Sequence, residues 1–297
     1  MVARSQIATA GVAPTKYKSK GNTNFMEIST CSLSSGSGGN CIFVGCGDTN
    51  ILIDAGRSAK ATVDLLSQIG VAITDINAIF ITHEHIDHVS GLKIITGKYK
   101  IPVYMVRETF DELPRDYKTA LGDVANFITP DKNEYIEIGG LRVECYPIPH
   151  DSAANVVYII SPAIFPDDDK ANAVGIATDI GHVSKTLIDA VCGCGIIYIE
   201  SNHDVDMLRN SSYPQYLKHR IKSKFGHLSN KECAEVLPYL IKNGARNIIL
   251  YHLSAENNTT ELAVSESRRR ILEAELNVGT VYLGVAPKSS PSKMVKV

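Results

Sequence analysis

Ile76-Asn-Ala-Ile-Phe-Ile-Thr82 runs directly into His83-Glu84-His85-Ile86-Asp87-His88. The first half is an apolar run of strand length. The second places three histidines and an aspartate within six residues. Such side chains are costly to bury without partners, and together they offer the imidazole and carboxylate ligands that suit a zinc-like ion. At a strand end the chain turns irregularly, so His83 and His85 can aim at one point while Asp87 and His88 face a second point nearby. The plain alternative is a solvated histidine-rich loop, and the tight spacing argues against it. The stretch reads as a metal site, and a binuclear one.

The rest of the chain has to supply the fold around it. At 297 residues and 44% hydrophobic composition it can bury a core without covalent staples. A formal charge of -2 gives no global attraction to nucleic acid, so any such contact must be local. Seven cysteines without regular spacing argue against a disulfide framework. Cys192-Gly-Cys194 has no second pair to complete a metal site and reads as structural. No stretch is long enough to span a membrane. Met1 to Phe25 lacks an apolar signal core and reads as a disordered extension, which makes the cytoplasm the expected compartment. Residues 26–297 read as one hydrolase domain.

Short β-rich runs are expected at Met26–Thr30, Cys41–Val44, Asn50–Asp54 and Pro102–Val106, with helices over Ser58–Ile69 and from His88 to about Tyr99. Tyr135–Ile138 and Leu141–Cys145 alternate around Gly139-Gly140, the chemistry of a hairpin turn. Val156–Ile160 and Val174–Ala177 follow, split by a polar Pro166–Lys170 turn. Later strands at Ile196–Ile199, Asn247–Tyr251 and Thr280–Leu283 are separated by helices near Ser184–Val191, Asn230–Lys242 and Thr260–Glu275. Each half starts β-rich and then alternates, a pattern that suits two sheets packed face to face with helices outside.

A two-metal site needs more ligands than one turn provides, and strand ends are where rigid ones belong. His150, Asp179 and His252 each follow an apolar run. Glu200 also ends a strand. His227 precedes Ser229-Asn-Lys-Glu232, a capping box that opens a helix. A carboxylate at Glu200 would hold a proton on His227, making it a candidate general acid; the competing assignment makes His227 a ligand and His252 structural. Between Glu200 and His227, the stretch from Met207 to Lys224 carries Arg209, Lys218, Arg220, Lys222 and Lys224 with no acidic residue, plus Tyr213 and Tyr216. It reads as a groove for a phosphate backbone with tyrosines for base stacking, against the plain reading of a solvated helix.

The H-x-H-x-D-H pattern at His83, His85, Asp87 and His88, with His150, Asp179 and His252 after it, resembles the metallo-β-lactamase superfamily. The resemblance implies an α/β fold, a four-layer αββα sandwich with metals at one edge between the sheets. It implies that His83, His85 and His150 hold the first ion, that Asp87, His88 and His252 hold the second, and that Asp179 bridges. Asp54 would orient the metal-bound loop by hydrogen bonding. Asp87, His227 and Glu200 form the expected catalytic set, and two divalent ions, Zn or Mn, the expected cofactors.

Ser32-Leu-Ser-Ser-Gly-Ser-Gly-Gly-Asn-Cys41, Glu200-Ser-Asn-His-Asp204, Gly226-His-Leu-Ser-Asn230 and His252-Leu-Ser-Ala-Glu-Asn-Asn258 narrow the resemblance to the YycJ-type branch, also called WalJ or VicX. Gly39 stands where that pattern has a serine. The branch implies a 5′-to-3′ DNA exonuclease linked to mismatch repair, with single-stranded DNA or strand ends as partner. Two elements also resemble transfer-RNA 3′-processing ribonuclease. Three readings stay beside DNA hydrolysis: an RNA-processing nuclease, a hydrolase of small esters, thioesters or lactones, and a regulatory metal-binding protein.

Overall fold

The apolar runs pair into two seven-stranded sheets in the computed structural model, which describes residues 27–131, 134–164 and 170–297. The first sheet holds β1 (Ile28–Ser34), β2 (Cys41–Cys46), β3 (Thr49–Ile53), β4 (Ala78–Phe80), β5 (Val103–Met105) and β6 (Ala125–Phe127). The second holds β7 (Ile136–Ile138), β8 (Leu141–Ile148), β9 (Asn155–Pro162), β10 (Val174–Ala177), β11 (Ile196–Glu200), β12 (Asn247–Tyr251) and β13 (Tyr282–Val285). A last strand, β14 (Val295–Lys296), returns to pair with β1.

Both sheets switch direction in the same way. β1 to β3 are antiparallel, and β3 to β6 parallel. β7 to β10 are antiparallel, and β10 to β13 parallel. Parallel neighbours end at the same edge, which is where open α/β sheets bind ligands. Hence Asp54 and His83 emerge together after β3 and β4, and Asp179, Glu200 and His252 emerge together at the ends of β10, β11 and β12.

Between the sheets lie Val44, Ile51, Phe80, Val143, Val156, Tyr158, Tyr198 and Tyr251, all buried. Three of the second sheet's tyrosines send their hydroxyls across the core. Tyr158 donates to Ile81 O at 2.8 Å, Tyr251 donates to Ser34 O at 2.8 Å, and Tyr198 meets Thr30 Oγ1 at 3.2 Å. Each ring buries apolar area while its polar tip is satisfied on the opposite sheet, which fixes how the sheets face each other. Leu65, Leu66, Leu92 and Ile95 cover the first sheet's outer face, and Leu187, Leu237, Leu240 and Ile271 the second's. These helices complete the four-layer α/β sandwich expected from the sequence.

Local differences have local causes. The expected helix from His88 to Tyr99 is two, Ile86–Val89 and Leu92–Tyr99. Between them Gly91 lies so close to the chain that a Cβ there would sit 2.0 Å from Arg57 O. The basic stretch also divides, into helices Val205–Asn210 and Gln215–Ile221, with Pro214 at the N-cap of the second. β13 starts two residues later than expected, and β6 and β14 are too short to read from their own residues. The cysteines are free, and Cys194 is buried as a structural thiol. Residues 1–25 and the turn at Pro166–Asp169 lie outside the described residues.

Candidate metal centre

Three residues at the shared sheet edge have left-handed backbones: Asp54 at φ 65°, Asp179 at φ 56° and His252 at φ 57°. Each follows a strand, and the positive φ turns the side chain out of the pleat. Asp and His tolerate this region better than most residues, yet it still costs of order 1 kcal/mol or more at each position.

The aspartate after β3 organises the motif. Asp54 accepts from Thr82 N at 2.8 Å, from Thr82 Oγ1 at 3.0 Å and from His88 Nδ1 at 2.7 Å. Thr82 Oγ1 in turn meets His83 Nδ1 at 3.0 Å. One buried carboxylate therefore orients His88 directly and His83 through a hydroxyl, turning both Nε2 atoms to the centre and leaving that of His83 without a partner. The loop carrying the motif docks on Gly56, where a Cβ would lie 1.7 Å from Asp87 O. Gly39 is explained in the same way: at φ 129° its Cβ would meet Gly56 O at 2.4 Å, so a serine would not fit.

The candidate ligand atoms converge. Those of His83, His85 and His150 lie within 4.8 Å of one another, as do those of Asp87, His88 and His252, and those of His83, His88 and Asp179. Asp179 faces both ways, with Oδ1 3.8 Å from His150 Nε2 and Oδ2 3.2 Å from His88 Nε2. Asn40, given no role from sequence, places Nδ2 3.2 Å from Asp87 Oδ2 and 3.0 Å from His88 Nε2.

Glu200 is the second organiser. Its Oε2 accepts from Ile180 N at 2.7 Å and Leu228 N at 3.1 Å. Its Oε1 takes Nδ1 of both His227 and His252, each at 2.8 Å. His252 thereby turns Nε2 to Asp87 Oδ2 at 3.4 Å, and His227, its side chain 17% exposed, stands at the cavity wall.

These residues fit a cationic occupant. The buried Nε2 of His83 has no hydrogen-bond partner, an arrangement that is costly unless it ligates something, and the buried Nε2 of His150 lies 3.2 Å from Asp151 Oδ1 without hydrogen-bonding to it. Burial, with neighbouring histidines, holds His83 well below its ordinary pKa, and burial likewise lowers His150. Both are therefore neutral bases. Burial opposes charge on His252, but Asp179, Asp87 and Glu200 overcome it and raise the imidazole to about 10. The carboxylates at this edge impose a field that calls for positive charge.

A cavity of about 230 Å³ opens over the cluster, lined by His85, Asp87 and His227 together with Tyr213, Leu217 and Arg220. The basic stretch is only partly oriented for substrate. Tyr216 is 74% exposed and does not line this cavity, Arg209 pairs with Asp206, and Lys222 and Lys224 are exposed. The assignment of Lys218 to phosphate binding is corrected. It is buried, and its ammonium donates to Arg209 O at 2.8 Å and Ser211 O at 2.7 Å, bracing the turn between two helices.

Residues 35–162 match the model of the metallo-beta-lactamase superfamily. The chain is 34% identical over 259 residues to exodeoxyribonuclease YycJ of Bacillus anthracis, covering 84% of this chain and 91% of that one. It is 34% identical over 250 residues to exodeoxyribonuclease WalJ of Streptococcus pneumoniae, covering 84% and 90%. This chain belongs to the metallo-beta-lactamase superfamily. Solved structures share the fold at low identity: Zn(2+)-bound PqqB from Methylobacterium extorquens, with a TM-score of 0.64, 16% identity and coverage of 89% of this chain and 99% of that one, and the short form of human tRNase Z, with 0.59, 14%, 89% and 98%. Divalent-metal use comes with the superfamily and with the histidine and aspartate groups described above. No helix among the described residues is long and apolar enough to cross a membrane.

Proposed function

We propose that this chain is a metal-dependent exodeoxyribonuclease that cuts DNA in the 5′-to-3′ direction from single strands or strand ends. The observation that supports it best is the convergence of the histidine and aspartate groups in a chain one-third identical, over most of both lengths, to proteins named exodeoxyribonucleases. In this reading His83, His85 and His150 hold one ion, Asp87, His88 and His252 a second, and Asp179 lies between them. When bound, such a pair supplies Lewis acidity and a water acidic enough to attack near neutral pH.

The chain's own groups do the remainder. Asp54 and Glu200 fix the rings so that Nε2 atoms face the centre. His227, its Nδ1 proton held by Glu200, carries a proton at Nε2 for the departing oxygen; the field of Glu200 raises it above its ordinary pKa against the opposing effect of burial. The cavity, at about 230 Å³, suits a small anionic group rather than a whole strand. We place its work in the cytoplasm, on DNA.

The test is digestion of end-labelled single- and double-stranded DNA and RNA, with Zn²⁺ and Mn²⁺ supplied separately, by the protein and by Asp179→Ala. Release of mononucleotides from DNA 5′ ends by the first protein alone is expected. DNA left intact under both metals, alongside saturable ester hydrolysis, would move the assignment to a small-molecule hydrolase.

A further inference from the structure

Resting on the exonuclease reading, we propose that Arg220 is the phosphate clamp of the cavity, holding the non-bridging oxygens of the bond being cut, and that Asp151 keeps it in position. Of the five cations between Arg209 and Lys224, Arg220 is the one that lines the cavity. It does so from the helix Gln215–Ile221, in a lining that also holds His85 and Asp87.

Its Nε donates to Asp151 Oδ2. That bond uses one of the five N–H donors of a guanidinium and leaves the terminal pair, the fork that matches two oxygens of a phosphodiester. Asp151 directly follows His150, and its other oxygen lies 3.2 Å from His150 Nε2. One short loop therefore sets both a candidate ligand and the clamp. Arg220 and Asp87 line the same cavity, so the guanidinium lies near the centre rather than on a remote face.

An ordinary surface ion pair would share the same two residues, but it would have no reason to face a cavity lined by histidines. At about 230 Å³ the cavity falls below the roughly 300–1,000 Å³ of drug-sized sites, as a phosphate-and-sugar subsite should. The clamp also sets specificity: a neutral ester, thioester or lactone gives it no anion to hold, whereas every phosphodiester does.

The experiment compares metal-loaded protein with Arg220→Ala and Arg220→Lys on end-labelled single-stranded DNA. It reads kcat/KM, the salt dependence of binding, metal content and melting temperature. Arg220→Ala should lose about 10- to 100-fold in kcat/KM with metal content unchanged. Its log–log salt slope should shrink by about 0.7, because one fewer phosphate is neutralised. Added guanidinium should restore part of the rate where ammonium at equal strength does not. Arg220→Lys should keep the salt slope yet lose rate, because it keeps the charge and loses the fork; it also serves if the alanine variant melts early. Arg220→Ala with full activity overturns the proposal, as does lost activity with an unchanged salt slope and no rescue, which marks a strut. Parent protein inactive on DNA with either metal removes the exonuclease reading, and this one with it.

Discussion

Replacing Glu200 by glutamine changes one atom and should disable two histidines. The site is fully buried, so the amide keeps the shape and cannot escape to water. Ile180 N and Leu228 N, at 2.7 and 3.1 Å, need an acceptor, so the amide oxygen stays with them and its NH₂ turns to the imidazoles. Both Nδ1 atoms must then accept instead of donate, and each ring proton moves to Nε2. On His252 that is the atom facing Asp87 Oδ2 at 3.4 Å, the lone pair a metal needs. Outer-shell substitutions of this kind typically reduce metal affinity 10- to 100-fold. Two charge-assisted bonds also become neutral ones, at a cost of about 1 kcal/mol each, or roughly 30-fold together. On His227 the same change removes the support for its proton, so the descending alkaline limb of kcat should shift to lower pH by about one unit or more. Metal titration with a fluorescent chelator and a kcat–pH profile on DNA read the two effects separately. Unchanged metal affinity together with an unmoved limb would refute the organising role of Glu200.

Other outcomes follow from the same geometry. His227→Ala should cut kcat on DNA by about 10²–10⁴ while metal content by elemental analysis is unchanged; a variant that instead loses metal makes His227 a ligand. Gly56→Ala puts a Cβ 1.7 Å from Asp87 O, a backbone clash that should cost more than about 4 kcal/mol in urea unfolding, and a wild-type midpoint would contradict the docking of the motif loop. For metal-stripped protein, His83 and His150 have lowered pKa values, so their destabilising effect grows as pH falls below 6.5. His252 is raised to about 10, so the stability it contributes is full below 6.5 and is lost as pH climbs through 10. The melting temperature of that form should therefore peak near pH 6.5, and a steady rise or fall from pH 5 to 9 would contradict it.

Much of this arrangement was legible because the residues obey local rules. The run into His83 reads as a buried strand, and Gly139-Gly140 as a hairpin turn, from a few residues each. The ends of β10 and β12 could be marked as ligand positions because apolar runs stop there at Asp179 and His252, and the end of β11 as the carboxylate beside His227 because a run stops at Glu200. Short elements escaped. β6 spans three residues and β14 two, and such strands are held by their neighbours rather than by their own pattern. Asn40 and Asp151 escaped as well, since an amide in a glycine-rich loop and a carboxylate beside a histidine look like any turn residue until the chain brings Asp87 and Arg220 against them.

The basic stretch shows where composition stops being informative. Five like charges between Arg209 and Lys224 read equally as one groove, but a helix sends its side chains in all directions, and a charge's destination depends on which carbonyls lie within reach. Lys218 is buried and finds two at the turn before Pro214, so its desolvation is offset and it acts as a brace. Arg220, two positions later and about 200° around the helix, faces the cavity and meets Asp151 instead. If that division is correct, Lys218→Met should lower the melting temperature and leave the salt slope of DNA binding unchanged. Arg220→Ala should do the reverse, and a protein in which both variants lose slope equally would mean that the turn and the cavity act as one surface.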